Sequence, residues 1–231
     1  MIAPVPDLWS VHARLARCYG AQTKWWPGRE NPFEVIAGAI LTQRTTWTNA
    51  GRAIRRLREA GVLTVDAMAA LDVDELAELI RPSGFYRAKA GALKAFCDLL
   101  GRSFGGDLRR LLRLPTEALR AQLLTVRGIG DETADAILVY AAERPSFVID
   151  AYARRLLGRL GIADPNDSYR SLQGRFMDAL PREAELYADA HALIVRHGQL
   201  HCRAEPMCAG CPLRDVCASC AATSHVEGTK A

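Results

Sequence analysis

Apolar side chains recur every three or four residues through almost the whole of this chain, and that period commits it to α-helices. The runs are FEVIAGAILTQ (33–43), NAGRAIRRLREAG (49–61), VDELAELIRPSG (73–84), RAKAGALKAFCDLLG (87–101), TEALRAQLLTVRG (116–128) and ETADAILVYAAE (132–143). A second set follows at 151–161, 168–180 and 183–199. Gly61, Gly84, Gly101 and Gly128 each close a run, where a left-handed helix terminator belongs. Strand-like alternation is scarce. Its one short candidate, SFVID (146–150), reads better as an extended connector. An all-α fold is expected.

At 231 residues the chain is long enough for one large domain or two small ones, each with a real core. No apolar run approaches the ~18 residues of a membrane span. The start, MIAPVPDLWS, lacks the basic residues and apolar stretch of a secretory signal, so no membrane association and a cytoplasmic location are expected. A net charge of +4 permits nucleic-acid binding without demanding it.

Residues 126–133 join two helical runs through Gly128-Ile129-Gly130. Glycine suits such a turn where the backbone takes positive φ or another surface must come close. Backbone N–H groups opening the second helix then point outward with the positive end of its dipole behind them. Arg127, Gly128, Ile129 and Gly130 thereby become candidate phosphate contacts. The plainer alternative is an ordinary helix end followed by an ordinary helix start. Asp150, just before AYARRLLGRLG, is open to the same two readings: a helix cap or a chemical carboxylate.

Hairpin and aspartate together resemble the helix–hairpin–helix DNA glycosylases, in which a catalytic aspartate opens a later helix. The cysteines extend the likeness. Cys18 and Cys97 stand alone, whereas Cys202, Cys208, Cys211, Cys217 and Cys220 crowd the C-terminal end. In a reducing compartment such a cluster reads as metal binding. Four thiolates at 202, 208, 211 and 217 suit tetrahedral zinc or a [4Fe–4S] cluster. Only Cys208 and Cys211 form a close pair, and the outer two stand apart as around a larger cubane. The spacing resembles the C-terminal loop of endonuclease III with its first gap one residue shorter, which implies a structural [4Fe–4S] cluster at 202–217. Cys220 stays open as a substitute for Cys217. The resemblance also places Arg203 and Arg214 of that loop near DNA phosphates.

The front half resembles the 3-methyladenine DNA glycosylase branch of the same superfamily. The likeness lies in KWWPG (24–28), AILTQRTTW (39–47), RPSGFYRAKA (81–90), GIGDETADAIL (128–138) and VIDAYARR (148–155). Known members of that branch lack the metal cluster, so this chain combines two family features. The resemblance implies two helical lobes. A six-helix lobe at 34–145 carries the hairpin, and residues 1–33 with 146–231 form the cluster lobe, with the active site in the cleft between them. It further implies a base pocket with Trp25, Trp26 and Pro27 on one wall and Trp47 on the opposite one. Gln43 fills the gap left by an extruded nucleotide.

Endonuclease III has its Schiff-base lysine where this chain has Glu132. A carboxylate forms no imine, which favours a monofunctional enzyme using water. Asp150, with Glu132 as a second candidate carboxylate, would stabilise the oxocarbenium-like sugar as the base leaves. The expectation is a monomeric, nucleoid-associated glycosylase acting on double-stranded DNA with a damaged base, an alkylated purine by preference. Two alternatives stay open. One is an endonuclease III-type glycosylase/lyase for oxidised pyrimidines that recruits Lys24, Lys89 or Lys94. The other is a non-catalytic protein that binds damaged or structured DNA.

Overall fold

The computed structural model describes residues 5–22 and 25–220, and among them every regular element is helical. The chain divides into two compact units, Met1–Trp25 with Pro145–Ala231, and Trp26–Arg144. The second begins ahead of residue 34, because Trp26 packs on Trp47 and Tyr140 inside it.

The Trp26–Arg144 unit holds α2 (Pro32–Leu41), α3 (Trp47–Glu59), α4 (Val65–Ala70), α5 (Val73–Leu79), a 3-10 turn (Arg81–Ser83), α6 (Tyr86–Phe104), α7 (Leu108–Leu112), α8 (Thr116–Leu124) and α9 (Asp131–Tyr140). The six expected runs are all present. The short α4 and α7 are additions, too brief for a 3.6-residue period to register. Helices α2 and α9 are apolar on nearly every side and form the middle of the core: Phe33–Leu41 and Thr133–Tyr140 are buried throughout. Each fully buried residue such as Ile36 or Ile40 contributes roughly 1.5–3 kcal/mol.

Helix α6 runs straight through Gly101, which is not the terminator expected of it. The chain instead turns at Gly105 and Gly106, both at positive φ, once Phe104 has been reached. Near the other end of the unit, a buried ion pair joins the helices that flank the hairpin. Arg120 on α8 donates from Nε and Nη2 to the two carboxylate oxygens of Asp135 on α9, both at 3.0 Å. Its Nη2 also reaches Asp131 at 2.5 Å.

The other unit contains α1 (Leu8–Tyr19), α10 (Ala151–Arg159), α11 (Tyr169–Ala179) and α12 (Ala184–Leu200). The 146–150 stretch is extended, as the sequence suggested. Phe147 from it stacks on Phe176 at 3.9 Å and meets Tyr187 edge-on at 5.6 Å, fixing where Asp150 emerges. Among the described residues no helix is long and apolar enough to cross a membrane.

Candidate active site

The hairpin turn is built asymmetrically. Gly128 has φ 96°, and a Cβ there would lie 2.7 Å from the Cβ of Ala92, so both conformation and packing demand glycine. Gly130 has φ −102°, which any residue adopts, and a Cβ would meet nothing within 4 Å. Positive φ thus accounts for Gly128 alone, while Gly130 is the N-cap of α9 and leaves the surface beside it open. Ile129 is buried beneath the turn, and Arg127 is exposed.

Gln43 lies just past α2 and spans to this turn. Its Nε2 donates to the Gly128 carbonyl at 2.8 Å and to Thr133 Oγ1 at 2.9 Å. Glu132 is exposed in the first turn of α9. Neither of the recruitable lysines in the described residues offers a free amine. Lys89 Nζ is buried and donates to the carbonyls of Leu41 at 2.9 Å and Ser83 at 2.7 Å. Lys94 Nζ donates to the carbonyls of Leu71 at 2.7 Å, Met68 at 3.2 Å and Ala69, closing the end of α4. Lys24 lies outside the described residues.

The aromatic residues depart from the expected two-walled pocket. Trp26 is buried and meets Trp47 edge-to-face, ring centroids 4.9 Å apart at 73°. Rings in that contact leave no room for a base, so they are not opposite walls. Both instead border a cavity of about 160 Å³ with Pro27, Glu34, Ile54 and Arg58. Trp47 is 40% exposed there. Trp25 ends the other unit and is half-buried. The sequence reading missed Glu34, which is buried and pairs with Arg58 at 2.5 Å. The helical period of 33–43 gave no reason to single out one acid on an otherwise apolar helix.

A second omission is Phe85. Its ring is 64% exposed, and its backbone takes φ 47°, a left-handed conformation that costs a non-glycine residue roughly 1–2 kcal/mol. Within RPSGFYRAKA nothing but its position after Gly84 hinted at this.

Asp150 turns out to be the N-cap of α10, its Oδ1 accepting from the Ala153 N–H at 2.8 Å. Its other oxygen faces His191 on α12, Oδ2 to Nε2 3.5 Å, and the side chain keeps 15% of its surface open. The cap reading thus holds, and most of the carboxylate is buried beneath it. Burial pushes the Asp150 carboxyl up, but His191 and the N–H groups of Ala153 and Tyr152 outweigh it and hold the group below the usual carboxylate value. His191 has no signature in sequence, since it sits on an apolar helix far from residue 150.

The five C-terminal cysteines line one small pocket, with about 20 Å³ of room for water, together with Leu156, Leu160 and Leu213. Cys208, expected as a thiolate ligand, is joined to Cys220 in a disulfide, while Cys202, Cys211 and Cys217 are free. The four-thiolate reading of Cys202, Cys208, Cys211 and Cys217 requires that bridge to be open. Cys220 borders the cavity too, because the turn after Cys217 brings it back over Cys208. Helix α10 holds the loop. Arg155 Nε donates to the Cys202 carbonyl at 2.7 Å, and Arg159 donates to Cys202 Sγ at 3.2 Å and to the Ala204 carbonyl at 2.7 Å. His197 lies 3.9 Å from Cys211 Sγ; burial, with His201 beside it, lowers its pKa to about 4, so it is neutral at pH 7. Arg203 and Arg214 are exposed on the loop. Among the described residues no three His, Cys, Asp or Glu side chains converge on a single-ion site. The donor set, cysteine sulfurs between apolar walls with arginines of α10 beside them, is of the kind that holds zinc or an iron–sulfur cluster.

Residues 37–182 match the model of the HhH-GPD superfamily base excision DNA repair proteins. A Methanocaldococcus jannaschii protein, provisionally named a DNA repair glycosylase, is 40% identical over 213 residues, 92% of this chain and 96% of the relative. A non-covalent endonuclease III–DNA complex superposes with TM-score 0.81 at 25% identity, covering 94% of this chain and 97% of that one. The H. pylori 3-methyladenine DNA glycosylase bound to 1,N6-ethenoadenine gives 0.73 at 28% identity, covering 84% and 98%. With the hairpin, the capping aspartate and the cysteine loop in place, these likenesses settle the lineage: the chain is an endonuclease III-like member of the HhH-GPD superfamily of base excision DNA repair proteins.

Proposed function

We propose that the protein is a monofunctional DNA N-glycosylase that hydrolyses the glycosidic bond of a flipped alkylated purine in double-stranded DNA. The observation that carries the reading is the state of its amines. The whole chain has only four lysines, at 24, 89, 94 and 230. The two that are described are committed to backbone carbonyls, and Glu132 stands where a Schiff-base lysine belongs. Asp150 supplies an ionised carboxylate for the positive charge that develops on the sugar. The bond from C1′ to the base nitrogen breaks with its electron pair going to the base. An N-alkylated purine is cationic and leaves neutral without an acid. Water adds to C1′, and its proton passes by way of the carboxylate to solvent.

The indole of Trp47 attracts a cationic base by roughly 0.5–2 kcal/mol. The bare surface at Gly130 receives a phosphate on the first N–H groups of α9. Arg127, Arg203 and Arg214, all exposed, add further phosphate contacts. Reduced, the cysteines would hold a [4Fe–4S] cluster through Cys202, Cys208, Cys211 and either Cys217 or Cys220. When bound, the cluster cross-links the loop; the residues of α10 orient it, and no chemical step passes through it.

The test is a panel of duplexes, each with one lesion, scored separately for base release and strand scission, with borohydride added to trap any imine. Release of alkylated purines without scission or adduct is expected. A trapped adduct, or release of oxidised pyrimidines alone, overturns the reading. A gel shift with no base release from any lesion makes the protein a binder. Asp150→Asn should lower release roughly 10²–10⁴-fold with little change in duplex binding.

A further inference from the structure

Beside the hairpin, one buried cation ties together two loops, one carrying Gln43 and the other the exposed Phe85. Lys89 is 3% exposed, and its Nζ donates to the Leu41 and Ser83 carbonyls. Leu41 is the last residue of α2, with Gln43 just beyond it; Ser83 ends the 3-10 turn, with Phe85 just beyond it. Gln43 then reaches the hairpin at Gly128 and Thr133. A continuous set of hydrogen bonds thus runs from the hairpin, through the Gln43 segment, to the strained turn of Phe85.

Burying an ammonium is unfavourable; desolvation alone pushes the Lys89 pKa down to about 8. A methionine would fill similar space without that penalty. What only the ammonium can do is donate at once to carbonyls at two separate helix ends. The fold therefore spends a buried charge to set the spacing of these two loops.

We propose that Lys89 is a positioning residue for duplex opening: it fixes Gln43 and Phe85 at one spacing, so that both side chains enter the base stack together when a nucleotide is extruded. The inference rests on the base-flipping reading above and adds to it how the opening tool is held.

The experiment uses a duplex with 2-aminopurine beside a stable abasic-site analogue, its fluorescence reporting unstacking. Wild type should raise the signal. Lys89→Met should lower the unstacking equilibrium roughly tenfold, the worth of one charge-assisted hydrogen bond, with affinity for undamaged duplex unchanged. In a Gln43→Ala/Phe85→Ala background the same substitution should change it by less than about twofold, since coupled groups are not additive. A second measurement keeps Lys89: Gln43→Ala and Phe85→Ala should each lose most of the signal, and the pair little more. Wild-type unstacking by Lys89→Met, an equal effect in both backgrounds, or additive losses for Gln43 and Phe85 overturn the proposal. So does a parallel fall of Tm and of affinity for both duplexes, which makes Lys89 a stability residue only. Silence from wild type itself overturns the base-flipping reading, and this inference with it.

Discussion

Replacing Arg120 by methionine should test how the hairpin is held. The guanidinium makes two hydrogen bonds of 3.0 Å to Asp135, which is fully buried, and one of 2.5 Å to Asp131, which is about half exposed. A hydrogen bond to a charged group contributes roughly 1.5–3 kcal/mol, so the Asp135 pair accounts for roughly 3–6. Breaking a buried ion pair from one side costs about 3–5 kcal/mol by independent measure, which agrees. The Asp131 contact, screened by solvent, adds under about 1 kcal/mol. For a chain of this size each kcal/mol moves Tm by roughly 2–4 °C, giving a drop of roughly 6–20 °C in Arg120→Met. Thermal unfolding followed by circular dichroism measures it. Arg120→Met/Asp135→Leu should recover part of the loss, because an apolar pair leaves no buried charge behind. A drop below about 3 °C, or a double variant worse than the single one, refutes the claim that this ion pair joins the hairpin's two helices.

Three further outcomes follow from the geometry. Asp150 is held below its usual pKa, so it stays ionised at neutral pH, and its protonation should limit base release only below the ordinary carboxylate range. Removing His191 takes away its main stabilising neighbour, so His191→Ala should shift that acid limb upward; an unmoved pH–rate profile counts against the pairing. Gly128→Ala should destabilise by roughly 2–5 kcal/mol from strain and overpacking together, whereas Gly130→Ala should leave Tm level or slightly higher yet weaken duplex binding. Equal effects at the two glycines would remove the reason to place a phosphate there. The reduced protein isolated without oxygen should absorb near ~400 nm from cluster charge transfer. Cys202→Ser should abolish that band, while Cys217→Ser and Cys220→Ser, compared side by side, identify the fourth ligand. A colourless wild type with no bound iron ends the cluster assignment.

Helices were legible in this chain because helical period is a local property: α2 and α9 announce themselves by burying every side. Asp150 was legible as both cap and carboxylate because the two readings demand the same residue at the same place. The substitution of Glu132 for a lysine, and the scarcity of other lysines, needed only the sequence. Tertiary structure decided what depends on partners distant in sequence. No pattern near residue 150 points to His191, and none near Gly101 says that α6 continues to Phe104. Edge contact between Trp26 and Trp47, the closure of Cys208 on Cys220, and the burial of Lys89 between two carbonyls arise the same way. Local spacing sets which side chains share a helix face, but only packing sets which faces meet, and there the contacts of this site are made.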